Sequence, residues 1–124
     1  MFTVNEMQIR FSENLNDRFI VREKRQIAKM FLMHYMQYDA SEMLLNKNQK
    51  VPEGVQTQLE NAINAINKGK PVQYVLGVTY FYDLALNIDR RALIPRPETE
   101  ELVDWIVETW KGRSPKILDV GIGS

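Results

Sequence analysis

The sequence predicts a mainly α chain that opens with a helical bundle, continues through a β-hairpin linker and ends on the first helix and strand of a truncated α/β domain. Three observations carry this reading. Apolar residues recur at helical spacing over the first half, the pattern turns strand-like after a glycine and proline stop in NKGKP (Asn67–Pro71), and a last helical stripe leads into the run KILDVGIGS.

The elements follow in order. Val4, Met7, Phe11 and Leu15 recur at three and four and predict the first amphipathic helix. From Ile27 to Met36 the chain is apolar nearly all round, which predicts the central helix of the group. NKNQKVPEG is a polar loop, and Leu59, Ala62, Ile63 and Ile66 mark the last long helix, closed by Gly69 and Pro71. Residues 1–70 are therefore expected to form one helical domain. In the linker, residues 71–97, VTYFYDLALNID joins β-branched and aromatic residues to an alternation at Leu84, Leu86 and Ile88, with Asp83 near the turn. Residues 98–124 begin the next domain. There Leu102, Val103, Ile106, Val107 and Trp110 restore helical spacing, with Pro97 suited to the first turn and Glu98, Glu100 and Glu101 to the positive helix end. Gly112 and Pro115 stop that helix, and Lys116 to Val120 reads as a buried strand.

Composition excludes several classes of function. Sixteen Lys and Arg balance sixteen Asp and Glu, so nothing draws the chain as a whole to nucleic acid or an acidic membrane. Without cysteine there is no disulfide, no thiolate nucleophile and no thiolate metal site, and a single histidine, His34, excludes a multi-histidine metal centre. The N-terminus scatters polar residues among apolar ones, unlike a secretory signal, and IAKMFLMHYM is too short to cross a bilayer. A cytoplasmic location is expected, with no membrane partner and no direct nucleic acid partner.

Two short stretches carry possible chemistry. Asp119, Gly121, Ile122, Gly123 and Ser124 form a strand-end glycine turn, where the backbone can approach a ligand and turn its amides toward an anionic group. A plain strand-to-helix connection explains the same residues. A nicotinamide fingerprint would need a third glycine and a later acidic residue. In LIPRPETEE two prolines bracket Arg96 and would aim its guanidinium from a rigid segment just before a helix; a solvated arginine at a proline-defined helix start is the simpler reading.

PVQYVLGVTYFYDLALNIDRRALIPRPETEELVDWIVE followed by ILDVGIGS resembles the HemK/PrmC family, the peptide chain release factor N5-glutamine methyltransferases. The match runs from about Pro71 to Ser124, with IPRPETE its most specific part, while residues 2–70 match more loosely by helix pattern. The resemblance implies a Rossmann-like methyltransferase domain, S-adenosyl-L-methionine as cofactor and a peptide chain release factor as protein partner, methylated on the glutamine of its Gly-Gly-Gln loop. It also implies that Asp119, Gly121, Ile122, Gly123 and Ser124 lie beside the amino acid end of the cofactor, with Arg96, Glu98 and Thr99 near the same pocket. The family's Asn-Pro-Pro-Tyr motif is absent from this sequence, so no catalytic residue is assigned and the chain is expected to be an inactive N-terminal fragment that binds cofactor weakly or not at all. Two alternatives stay open: a non-catalytic helical protein-binding module, or the sister family that methylates a glutamine of a ribosomal protein.

Other residues carry ordinary expectations. His34 is expected to be packed or hydrogen-bonded, REKR (Arg22–Arg25) to be a solvated helix face or a contact for an acidic or RNA-rich partner, Tyr74, Tyr80, Phe81 and Tyr82 to pack the hairpin, and the methionines to fill the core.

Overall fold

A computed structural model describes residues 1–123. The chain divides into two compact units, Met1–Leu76 and a second one beginning at Gly77. The first holds helices α1 (Val4–Asn14), α2 (Val21–Met36), α3 (Ala40–Leu45), α4 (Glu53–Asn67) and α5 (Val72–Leu76). The second holds strands β1 (Val78–Phe81) and β2 (Leu84–Asn87) and helix α6 (Pro97–Trp110). The chain is thus mainly helical with one small antiparallel hairpin, as the sequence predicts.

In the first unit side chains set the starts of α1 and α3, and backbone conformation sets the ends of α2 and α4. Thr3 caps α1 by accepting from the Glu6 amide at 3.2 Å, while the Glu6 carboxylate accepts from the Thr3 amide at 2.8 Å and hydroxyl at 2.9 Å. Those donors, the backbone amide first, hold the Glu6 carboxyl below its ordinary range because they favour the charged form. Asp39 and Glu42 repeat the device at α3, both bonds at 2.8 Å. Ile20, before α2, has no capping oxygen, so only the return bond forms, from the Ile20 amide to Glu23 at 2.9 Å. At the end of α2, Gln37 takes a left-handed backbone, φ 56°. Gly69, φ 99°, follows α4 and its amide returns to the Ile66 carbonyl at 2.9 Å.

The core lies where the apolar stripes of α1, α2 and α4 meet. Val4, Met7, Phe11 and Leu15 are buried from α1 and the residue after it, Ile27, Ala28, Phe31 and Leu32 from α2, and Leu59, Ala62, Ile63 and Ile66 from α4. The Phe11 and Phe31 rings sit 5.3 Å apart, tilted by 32°, a favourable arrangement of their quadrupoles. Val51, in the polar loop, is fully buried and donates its amide to the Phe2 carbonyl at 2.9 Å, fastening the loop to the start of the chain. Asn67 ties the ends of α1 and α4, donating to the Asn14 carbonyl at 2.8 Å and accepting from the Asn16 amide at 2.9 Å.

The first unit runs past the Asn67–Pro71 stop to Leu76, which is buried in the helical core. PVQYVLG, read from sequence as the start of the hairpin linker, is the short helix α5. Its first turn is closed by the Pro71 carbonyl, which accepts from the Tyr74 and Val75 amides at 3.1 Å, and Gly77, φ 76°, ends it.

In the second unit β1 and β2 pair in the register Val78↔Asn87, Thr79↔Leu86, Tyr80↔Ala85 and Phe81↔Leu84. The two-residue turn between them, Tyr82 and Asp83, has φ 51° and 60°. Positive φ at both positions matches the twist of the strands, an arrangement that usually recruits glycine or asparagine. Here α6 holds the turn: the Tyr82 amide donates to Glu100 at 3.1 Å and its hydroxyl to Asp104 at 2.6 Å.

The strand expected over Lys116–Val120 does not form among the described residues, and Ile117, Leu118 and Val120 are exposed. A parallel strand is held by its neighbours on either side and by helices over its faces, and none of the described residues supplies a ladder for it.

Candidate functional site

The residues singled out by sequence fall at two places in the second unit. Arg96 is the N-cap of α6 with extended backbone, φ −107° and ψ 148°, and Pro97 opens the helix, so the two prolines set the backbone as expected. The Arg96 carbonyl accepts from the Thr99 amide at 3.0 Å. The side chains of Arg96, Glu98 and Thr99 are exposed and have no hydrogen bond or ion pair among the described residues. They point no anchored group at a common centre.

The two glycines of the turn take left-handed backbone although no strand directly precedes them among the described residues. Gly121 and Gly123 have φ 78° and 74°, and a Cβ placed at Gly121 would meet no atom within 4 Å, so its backbone is open to close approach. Asp119 and Ile122 are exposed, and Ser124 lies outside the described residues. Gly123 borders a cavity of about 590 Å³ whose other walls include Ile88, Asp89 and Arg91. Arg96, Glu98 and Thr99 are not among its lining residues, so the structure does not gather the two motifs into one pocket.

That cavity contains a pair the sequence reading missed. Arg91 grips Asp89 with its Nη2 at 2.6 Å, its Nε at 2.9 Å from one carboxylate oxygen and 3.0 Å from the other, and its amide at 2.9 Å. These donors, with the guanidinium foremost, bring the Asp89 carboxyl down to about 2. The same pairing raises the Arg91 pKa. The guanidinium is thereby largely occupied, which limits it as a receptor for a further anion. The only sequence signal was the spacing of two in DRR, a common arrangement with little information.

The first unit offers surfaces instead of a catalytic cluster. His34, expected to be packed or hydrogen-bonded, is exposed, and its contact is an edge-on approach to Tyr35 at 5.3 Å. It lies outside the buried stripe of Ile27, Ala28, Phe31 and Leu32, so an apolar helix still leaves one face to water. Arg18 donates to the Ile66 carbonyl at 2.6 Å and lies 4.6 Å over the Phe19 ring, closing the end of α4. Arg22 and Arg25 are exposed, as expected of a solvated face, whereas Lys24 pairs with Asp17 at 2.9 Å. No helix among the described residues is long and apolar enough to cross a membrane.

A helical first unit of five helices followed by a hairpin and a helix opened by IPRPETE defines a class of two-part chains, and comparison with known proteins gives it a family. The profile of the PrmC N-terminal domain matches residues 6–77. The chain belongs to the HemK/PrmC family and carries its N-terminal domain. It is 34% identical over 125 residues to the release factor glutamine methyltransferase of Flavobacterium psychrophilum, covering 98% of this chain and 44% of that protein. The protein of the same name from Bacteroides thetaiotaomicron is 30% identical over 121 residues, covering 98% and 43%. That of Lactococcus lactis is 51% identical over 59 residues, covering 48% and 22%. The chain therefore spans less than half the length of these curated relatives.

Proposed function

We propose that this chain is the N-terminal part of an S-adenosylmethionine-dependent methyltransferase that modifies the side-chain amide of the Gly-Gly-Gln glutamine in a peptide chain release factor. The observation that carries this is the alignment of 98% of the chain, through both units, with a relative named release factor glutamine methyltransferase. In this reading the helical unit, expected from sequence as residues 1–70 and running to Leu76 in the structure, grips the substrate, the rest of residues 71–97 links that grip to the catalytic part, and residues 98–124 begin the methyltransferase domain.

The cofactor finds only one edge of a site here. The open backbone at Gly121 suits the close approach of the amino acid end of S-adenosylmethionine, and Asp119, Ile122, Gly123 and Ser124 would share that edge. Exposure of the side chains from Ile117 to Ile122 means that the described residues do not enclose such a group, and Arg96, Glu98 and Thr99 do not join the turn in one cavity. This chain by itself is accordingly expected to bind the cofactor weakly and to transfer nothing. The exposed apolar residues of α6, among them Trp105 and Trp110, support the same reading, since further residues of a longer enzyme would cover them.

An amide nitrogen is a poor nucleophile because its lone pair is delocalised into the carbonyl, so such an enzyme must work mainly by positioning. The test is incubation of the whole enzyme with a release factor and labelled S-adenosylmethionine. Label is expected on the Gly-Gly-Gln glutamine and is expected to vanish when that glutamine is changed to alanine. Label that persists on the alanine variant would reject the target. Gly121→Val in the whole enzyme is expected to abolish cofactor binding in calorimetric titration, by placing a side chain where backbone must approach the ligand.

A further inference from the structure

Two lysines converge on one small cavity of the helical unit. Lys29 of α2 and Lys47, just past α3, line a space of about 190 Å³ together with Asn5 and Gln8 of α1, over a floor that includes Val4 and Met43. Val4 and Met43 are buried, so the floor is apolar, and Leu44 stands 75% exposed at the rim. Neither lysine has a hydrogen bond or ion pair from its side chain among the described residues.

The frame of this notch is fixed. The Lys47 carbonyl accepts from the Asn5 amide at 2.9 Å and the Gln49 carbonyl from the Val4 amide at 2.9 Å, while the Gln49 side chain accepts from the Tyr38 hydroxyl at 2.8 Å. The first amides of α1 are used up in this way. An incoming anion would meet the two ammonium groups and the Asn5 and Gln8 side-chain amides, not a free helix end. Along α2, Arg25 and Arg22 precede Lys29 at spacings of four and three and so share its face; both are exposed and unpaired among the described residues.

We propose that this notch, with the Arg22, Arg25 and Lys29 face beside it, docks an acidic segment of the protein substrate, anchored by one apolar side chain against Met43 and Leu44. The docking rests on the function proposed above, which supplies a protein substrate. Charge complementarity chooses the acidic partner, and the walled apolar floor chooses a peptide over a polynucleotide, which would be held by a longer cationic track with aromatic faces for its bases.

Methyl transfer by the whole enzyme to an intact release factor and to a short peptide bearing the Gly-Gly-Gln loop tests this. Lys29→Glu with Lys47→Glu should raise KM for the intact factor about tenfold, since charges at an interface act chiefly on encounter and partner choice. The kcat and the rate on the peptide should stay unchanged, and Lys29→Arg with Lys47→Arg should restore KM. Lys68→Glu with Lys70→Glu, an equal charge change elsewhere on the unit, should leave KM alone. An unchanged KM in the first variant, or an equal rise in the last, overturns the docking site. A rise that disappears after nuclease treatment assigns the face to RNA and overturns it too. A wild-type enzyme inert on both substrates would overturn the release factor function itself, a distinct result.

Discussion

All but Ile88 of the described buried apolar residues belong to the first unit, whereas α6 in the second buries none of its residues. The two units have comparable local signals: α4 and α6 are both amphipathic, and both are capped by a proline start and a glycine stop. What differs is closure. In the first unit the stripes of three helices face one another, and in the second Leu102, Trp105, Ile106 and Trp110 remain between about two-fifths and three-quarters exposed. Amphipathicity makes a helix and names the face that wants burial, but burial depends on an opposing surface.

This contrast can be broken most forcefully at its strongest point. Phe31→Ala in the intact chain should cost about 3–5 kcal/mol, through lost transfer energy and the cavity left beside Phe11. Chemical denaturation followed by helical circular dichroism would read it, and a loss below about 1 kcal/mol would mean that the core is looser than the contacts indicate. Thr3→Ala should cost about 1 kcal/mol, because the Glu6 amide loses its acceptor and Glu6 one of its donors. Trp105→Ser, on the exposed face of α6, should change stability by no more than about 0.5 kcal/mol despite the size of the residue removed.

A finer prediction concerns pH. The Asp89 carboxyl is depressed from its ordinary 3.8 to about 2 by Arg91, so the clamp contributes above the unfolded value and is lost as pH falls from 3.8 toward 2. A carboxyl-detected NMR titration should place the Asp89 midpoint near the lower value, and Arg91→Ala should return it toward 3.8. A normal midpoint in the unaltered chain would show that the clamp does not persist in solution.

Legibility in the sequence followed the range of the interaction involved. The stripe of Val4, Met7, Phe11 and Leu15 and that of Leu59, Ala62, Ile63 and Ile66 could be read because three and four residues on a helix are neighbours regardless of fold, and all eight proved buried. The hairpin and the place of its turn near Asp83 were readable for similar reasons, whereas its register came only with the structure. The helix α5 was hidden by the strand-favouring Val72, Tyr74 and Val75, although Pro71 before it and Gly77 after it were signals of a short helix. Lys116–Val120 misled in the opposite way, since strand propensity is local while the ladder a strand needs is not. For the candidate site, the backbone features of Arg96, Pro97, Gly121 and Gly123 were legible, but the Asp89 clamp and the Lys29 and Lys47 notch depend on side chains brought together from separate segments or on a spacing too common to be noticed.

The unequal closure of the two units is tested most directly by hydrogen exchange on the intact chain, followed amide by amide. The packed helices α1, α2 and α4 should open only with global unfolding, giving their central amides the slowest rates in the molecule, while α6 should exchange through local opening and much faster. Amides of α6 protected as strongly as those around Phe11, Phe31 and Leu59 would contradict the account.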